Sequence, residues 1–180
     1  MALISNNEIK RVKSLQQKKF RDESGLFVSG SGLNKLAVIE RHHLTGNIGL
    51  GILKGFGIKG GAMASTVGHD SHNLIVVGDN DGDMFAAVDA LEASSGGFVV
   101  VSEGKVLAQL PLPIAGLMSD LPLHEIIARQ EALLSAFRTI GEYADGDPFV
   151  TLSFIALPVI PHVRITDMGV FNVTKMEFIQ

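Results

Sequence analysis

Three short runs, NKLAVIE at 34–40, GAMASTVG at 61–68 and NLIVVG at 73–78, constrain this chain more than any other feature. Each is rich in small or β-branched apolar residues and bounded by glycine or polar residues, the pattern of strands between turns. A sheet is therefore the frame, and the rest of the chain must cover it. DNDGDMFAAVDALEASSGG supplies one cover. Asp79 or Asn80 can cap a helix there, acids occupy its first turn, Met84, Val88 and Leu91 recur at helical spacing, and Gly96 and Gly97 stop it. SDLPLHEIIARQEALLSAFRTIG supplies a second helix, with Ser119 or Asp120 as cap and Pro122 near the first turn. Its buried face is expected to be Ile126, Ile127, Leu133, Leu134, Phe137 and Ile140, and Gly141 ends it. Between the helices, GFVVVSEGKVLAQLPLPIAG reads as a hairpin, with strands at 98–102 and 105–110 about Glu103-Gly104. The segment from Asp147 onward, interrupted by Pro148, Pro158 and Pro161, reads as short extended pieces on sheet edges or surface turns.

An apolar content of 46% in 180 residues suffices for one core but not for two large domains. The expected fold is a single α+β domain, a mixed β-sheet packed by two main helices and preceded by a short basic helix. Residues 1–28 carry six Lys or Arg against three acids, while the whole chain has a net charge of −4, so the body is acidic. Within NNEIKRVKSLQQKKFRDESG, Asn6 or Asn7 can cap a helix, Ile9, Val12, Leu15 and Phe20 approximate an apolar stripe, and Gly25 can end it. Ser29 to Gly32, SGSG, has the composition of a linker before a domain spanning 33–180. The opening MALISNNEIKRVKS lacks the apolar block of a secretory signal, and no run of about 18 apolar residues occurs, so the expectation is a soluble, cytoplasmic protein with no membrane partner.

The chemistry-bearing residues are histidines. His42, His43, His69 and His72 are four of the six, with Asp70 between the last two. With no cysteine in the chain, a metal could be held only by His, Asp, Glu and water. HDSH at 69–72 places two imidazoles three residues apart beside a carboxylate, a set that suits zinc, iron or manganese, so His69, Asp70 and His72 are the metal candidates. The competing reading makes 68–73 a tight turn, with His69 and His72 bonding backbone groups and Asp70 and Asn73 bonding their own backbone. Gly46, Gly49 and Gly51 look superficially like a phosphate loop, but GKS and GKT are absent and these three lack the G-x-G-x-x-G spacing, so a close approach of two chain segments is the better reading. Three adjacent residues cannot converge as a Ser-His-Asp triad, and no G-x-S-x-G, H-E-x-x-H, H-x-H or deaminase P-C-x-x-C occurs.

Two resemblances rest on these stretches. The pattern IK…SL…KK.R…..GLFV within 1–28 is similar to the start of the SpoU/TrmH-type RNA ribose methyltransferases, which implies salt-sensitive RNA contact through the basic segment and a fused origin. The segments from NKLAVIERHHLTGNIGLG to GDNDGDM, GGFVVVSEGKVLAQLPLPIAGLMSD and DPFVTLSFIALPVIPHVRITDMGVFNV resemble the carboxy-terminal domain of bacterial-type adenine deaminases, in the amidohydrolase superfamily, over 34–180. Leu44, Gly68, Asp79 and Gly82 depart from that family's usual residues. This second resemblance implies hydrolysis of adenine to hypoxanthine and ammonia, a step of purine metabolism, at a manganese, iron or zinc centre held in a (β/α) barrel. A barrel of that kind takes about 250 residues. The resemblance therefore implies an accessory domain with no catalytic residues and no metal of its own, inactive without the barrel. His42, His43, His69, Asp70, His72 and Asn73, with Ser119 and Asp120, are then the residues expected to face the barrel or a neighbouring subunit. Exposed apolar contact area also implies a homodimer. A metal-binding or RNA-contacting module is the alternative.

Overall fold

Along the central strands successive side chains point to opposite faces, and here both faces are apolar, so the sheet is a middle layer. A computed structural model describes residues 3–5, 27–28, 32–143 and 146–179. The strands are β1 (Leu3–Ser5), β2 (Leu33–Ile39), β3 (Ile48–Lys54), β4 (Ala62–Ser65), β5 (Leu74–Gly78), β6 (Gly97–Ser102), β7 (Lys105–Pro111), β8 (Val163–Thr166), β9 (Gly169–Asn172) and β10 (Glu177–Phe178). The helices are α1 (Asp81–Ala93), α2 (Leu123–Ile140) and α3 (Pro148–Ile155). Seven strands form one sheet in the order β1-β3-β2-β5-β4-β6-β7, and three form a small sheet in the order β10-β9-β8. Among the described residues only β1 pairs in parallel, with β3; the other pairs are antiparallel, giving the mixed sheet and single α+β domain expected. Among the described residues no helix is long and apolar enough to cross a membrane.

The period of two divides the core. Leu36, Val38, Met63, Ile75, Val77 and Val100 face α2, α3 and the small sheet. Ala37, Ala62, Ala64, Leu74, Val76, Val99 and Val101 face α1. Helix α1 starts where the sequence indicates: the Asn80 side chain accepts a bond from the Asp83 N–H at 2.8 Å and donates to Asp83 Oδ2 at 2.7 Å. It buries Met84, Ala87 and Leu91, so Ala87 rather than Val88 completes the stripe. The β6–β7 turn has positive φ at Glu103 and Gly104, the primed hairpin conformation that glycine favours.

Three elements differ from the sequence reading. Helix α2 begins at Leu123, not after Ser119 or Asp120, because Pro122 disfavours helical backbone at Leu121; the Ser119 hydroxyl instead accepts the Leu121 N–H at 3.1 Å. Of its expected face, Leu133, Phe137 and Ile140 are buried, whereas Ile127 is 49% exposed, because the first half of α2 stands away from the core. Pro148 does not break structure; it occupies the first turn of α3, where Asp147 caps the N–H groups of Phe149 and Val150. The glycine-rich stretch 46–51 contributes strand β3, and a Cβ on Gly49 would collide with the Thr166 carbonyl, so the close approach there is real and seats the small sheet on β3. The expected basic helix, from Asn6 or Asn7 to Gly25, lies outside the described residues, as does the Ser29–Gly32 joint apart from Gly32; Leu3–Ser5, ahead of that helix, is strand.

Candidate functional site

The two histidine-bearing turns lie far apart in sequence but meet at one end of the large sheet. The first follows β2 and leads into β3; the second joins β4 to β5. His42 Nε2 lies 2.7 Å from the Ser71 carbonyl oxygen, and Arg41 Nε donates to the His72 carbonyl at 2.7 Å. Arg41 Nη2 also donates to the Ala115 carbonyl at 2.9 Å, bringing in the loop after β7. Burial lowers the pKa of the Arg41 guanidinium, which these carbonyls hold in place. The small sheet joins through its β8–β9 turn, where the Asp167 carboxylate accepts Asn47 Nδ2 and Asn73 Nδ2, each at 3.2 Å.

Glu40 shapes the first turn from within. Its carboxylate accepts the backbone N–H groups of His42 at 2.5 Å, His43 at 2.7 Å and Thr45 at 3.0 Å, and the Thr45 hydroxyl at 3.1 Å. These bonds, that from the Thr45 N–H first, outweigh desolvation and lower its pKa to about 2. The carboxylate thus stands in for the missing backbone partners of a bend that contains three of the chain's exposed residues, His42, His43 and Leu44.

In the second turn His72 has a positive φ of 50°, and its Nδ1 accepts the Gly68 N–H at 3.2 Å. Its proton therefore sits on Nε2 in the neutral ring, while His42, bonded to a carbonyl through Nε2, keeps Nδ1 as its acceptor. His69 is exposed and stacks on Phe154 of α3, centroids 3.8 Å apart. Asp70 is exposed. Asn73 is buried, at 4% exposure, and bonds Asp167 rather than its own backbone; its Oδ1 has no partner among the described residues. Among the described residues no three His, Asp or Glu side chains group to hold a metal. With His72 Nδ1 engaged and the His69 ring laid on Phe154, His69, Asp70 and His72 do not fit a metal centre.

Ser119 and Asp120 lie apart from the histidines, on the loop before α2. Ser119 and His69 nevertheless share a cleft of about 500 Å³ between α2, α3 and the outer strands. Asp120 is exposed. The sequence reading missed Glu40, Arg41, Asn47 and Asp167, the groups that hold the turns together. Glu40 and Arg41 adjoin the His pair, a position that could have marked them; Asp167 lies 120 residues from Asn47, and nothing local marks it. The assembled end thus brings the imidazoles of both turns to one end of the sheet, with His42 and His72 held by hydrogen bonds and His69 by its stack on Phe154.

Comparison with known proteins gives the family. The family described as adenine deaminase C-terminal domain matches residues 10–177, so the match takes in most of the basic segment 1–28, and the expected resemblance of that segment to the RNA methyltransferases is not shown. An adenine deaminase of Nitratidesulfovibrio vulgaris strain Hildenborough is 54% identical over 159 residues, covering 88% of this chain and 28% of that protein. Adenine deaminase 2 of Latilactobacillus sakei is 46% identical over 180 residues, 98% of this chain and 31% of its own length. An adenine deaminase of Clostridium acetobutylicum is 45% identical over 177 residues, with 98% and 30% covered. The chain spans less than a third of the length of these relatives. It belongs to the adenine deaminase C-terminal domain family.

Proposed function

We propose that this chain is the accessory domain of an adenine-hydrolysing enzyme and has no deaminase activity unless it is joined to, or assembled with, a catalytic barrel. The observation that carries this reading is its extent: it matches a C-terminal domain almost end to end, yet corresponds to 28% of a relative named adenine deaminase. The relatives' remaining length is where a barrel and its ligands would lie. Metal, whether manganese, iron or zinc, belongs in this reading to the barrel, where it would supply activated water; no step is assigned to it through the residues of this chain.

The histidine end is the face turned toward the barrel or a neighbouring subunit. His42, His43, His69, Asp70 and His72 present hydrogen-bonding groups there, and Asn73, being buried, supports them through Asp167. Such a face orients a partner loop and keeps water from it; it transfers no proton in the reaction itself. Purified chain supplied with manganese and adenine should form no hypoxanthine. A relative trimmed of its matching region should regain adenine hydrolysis when this chain is added. Turnover by the chain alone would end the proposal.

A further inference from the structure

The cleft at α2 and α3 has a character of its own. At about 500 Å³ it falls within the range of small-molecule pockets, about 300–1,000 Å³. Val67, Phe98, Leu110, Leu112, Leu133 and Phe149 make its apolar walls. Phe98 and Phe149 cross edge to face at 5.3 Å, which gives the interior aromatic surface on two sides. His69, stacked at 30° on Phe154, adds an aromatic face at the mouth.

Charge narrows what can enter. Among the described residues no Lys or Arg lines the cleft, so a phosphate would lose hydration without gaining a counter-charge. Among the described residues one carboxylate lines the cleft, Asp147, committed through Oδ1 to the Phe149 and Val150 N–H groups, at 2.7 Å and 3.3 Å, which leaves Oδ2 as an acceptor. The Ser153 hydroxyl, 6% exposed as a residue, donates to the Val150 carbonyl at 2.6 Å and keeps its own lone pairs. Gln130, an exposed lining residue on the half of α2 that stands away from the core, offers an amide donor and acceptor side by side. Together these are apolar flat walls, acceptors without a nearby cation, and one bidentate amide.

We propose that this cleft binds a neutral planar heteroaromatic molecule of about purine size, its ring between the apolar walls and its polar edge on Gln130 and Asp147. Glutamine is suited to such an edge because its amide pairs with an adjacent ring acceptor and exocyclic amine. This inference goes beyond the partner reading, because the cleft is made wholly by this chain and needs no barrel.

The test uses the purified full chain with methyl groups labelled for NMR, titrated separately with adenine, hypoxanthine and AMP. Adenine or hypoxanthine should shift the methyls of Val67, Leu110, Leu112, Leu133 and Val150 saturably, with a Kd at or below about 1 mM as expected for an efficient small ring ligand. AMP should bind at least about tenfold more weakly, since its phosphate meets no cation. Gln130→Ala, at an exposed position, should weaken base binding about fivefold or more, the loss of one hydrogen-bonded edge. Val150→Trp, which fills the mouth from an exposed position on α3, should abolish it while leaving the circular dichroism spectrum unchanged. Absence of shifts with both bases, AMP binding as tight as adenine, or undiminished binding by Val150→Trp would each overturn the proposal.

Discussion

The two faces of the large sheet bury side chains of different size, and each is covered accordingly. Toward α1 the sheet offers Ala37, Ala62, Ala64 and three valines, so the helix sits close and one element completes the layer. Toward α2, α3 and the small sheet it offers Leu36, Met63, Ile75 and Leu53, which pack with Phe56 and Ile58. Three elements share that cover, and the cleft lies where α2 and α3 diverge. Small side chains give a tight, closed face; large ones give a thick core and a cavity along its seam.

The largest expected effect tests the thick face. Phe137 is 2% exposed and meets Phe56 edge to face at 6.4 Å. Phe137→Ala should destabilise by about 3–5 kcal/mol, the range for truncating a core phenylalanine. Urea unfolding followed by circular dichroism measures it, and a loss below about 1 kcal/mol would mean that the large-residue core does not carry this layer.

The tight face is tested by adding an atom. A Cβ on Gly78 would lie 2.6 Å from Met84 Cγ and 2.9 Å from Ala62 Cβ. The Met84 side chain can shift and Ala62 cannot, so Gly78→Ala should cost about 1–3 kcal/mol by overpacking. The same unfolding experiment reads it. If Gly78→Ala were neutral, the closeness of α1 would not be set by small residues, and the comparison between faces would fail on that side.

How much of this could be read in advance follows from how local each signal is. The strands at 34–40, 61–68 and 73–78 were legible because their period and punctuation are local, and the hairpin because its turn is. Strand β3 was not, because Ile48 and Leu50 are half or more exposed and alternate with glycines, so no apolar run announces it. Helix α3 was hidden by Pro148, which suits a first helical turn as well as it breaks later ones. The histidine turns were legible as a pair of clusters. That they meet was not, since the bonds joining them run through Arg41, His42 and Asp167 to partners 29 to 120 residues away.

A third prediction concerns pH. The folded Glu40 carboxyl titrates at about 2, below its ordinary 4.5, so between these values the unfolded chain binds more protons. Its stabilising contribution is present above about 4.5 and is lost as pH falls toward 2. Glu40→Gln should flatten the slope of unfolding free energy against pH in that window. An unchanged slope would show that the carboxylate's bonds to the turn are not made in solution.

The smallest effect on stability separates the histidine end from the fold beneath it. The His43 side chain is 81% exposed, and its Nδ1 is 3.5 Å from a Glu40 oxygen that already accepts two N–H groups. His43→Ala should therefore change stability by no more than about 0.5 kcal/mol, as exposed substitutions do. If the face meets a barrel, the same substitution should still weaken rescue of a trimmed relative, because an exposed imidazole with little to do in the isolated domain matters only when something covers it. Loss of stability with rescue intact would reverse that assignment and make His43 part of the turn's own architecture.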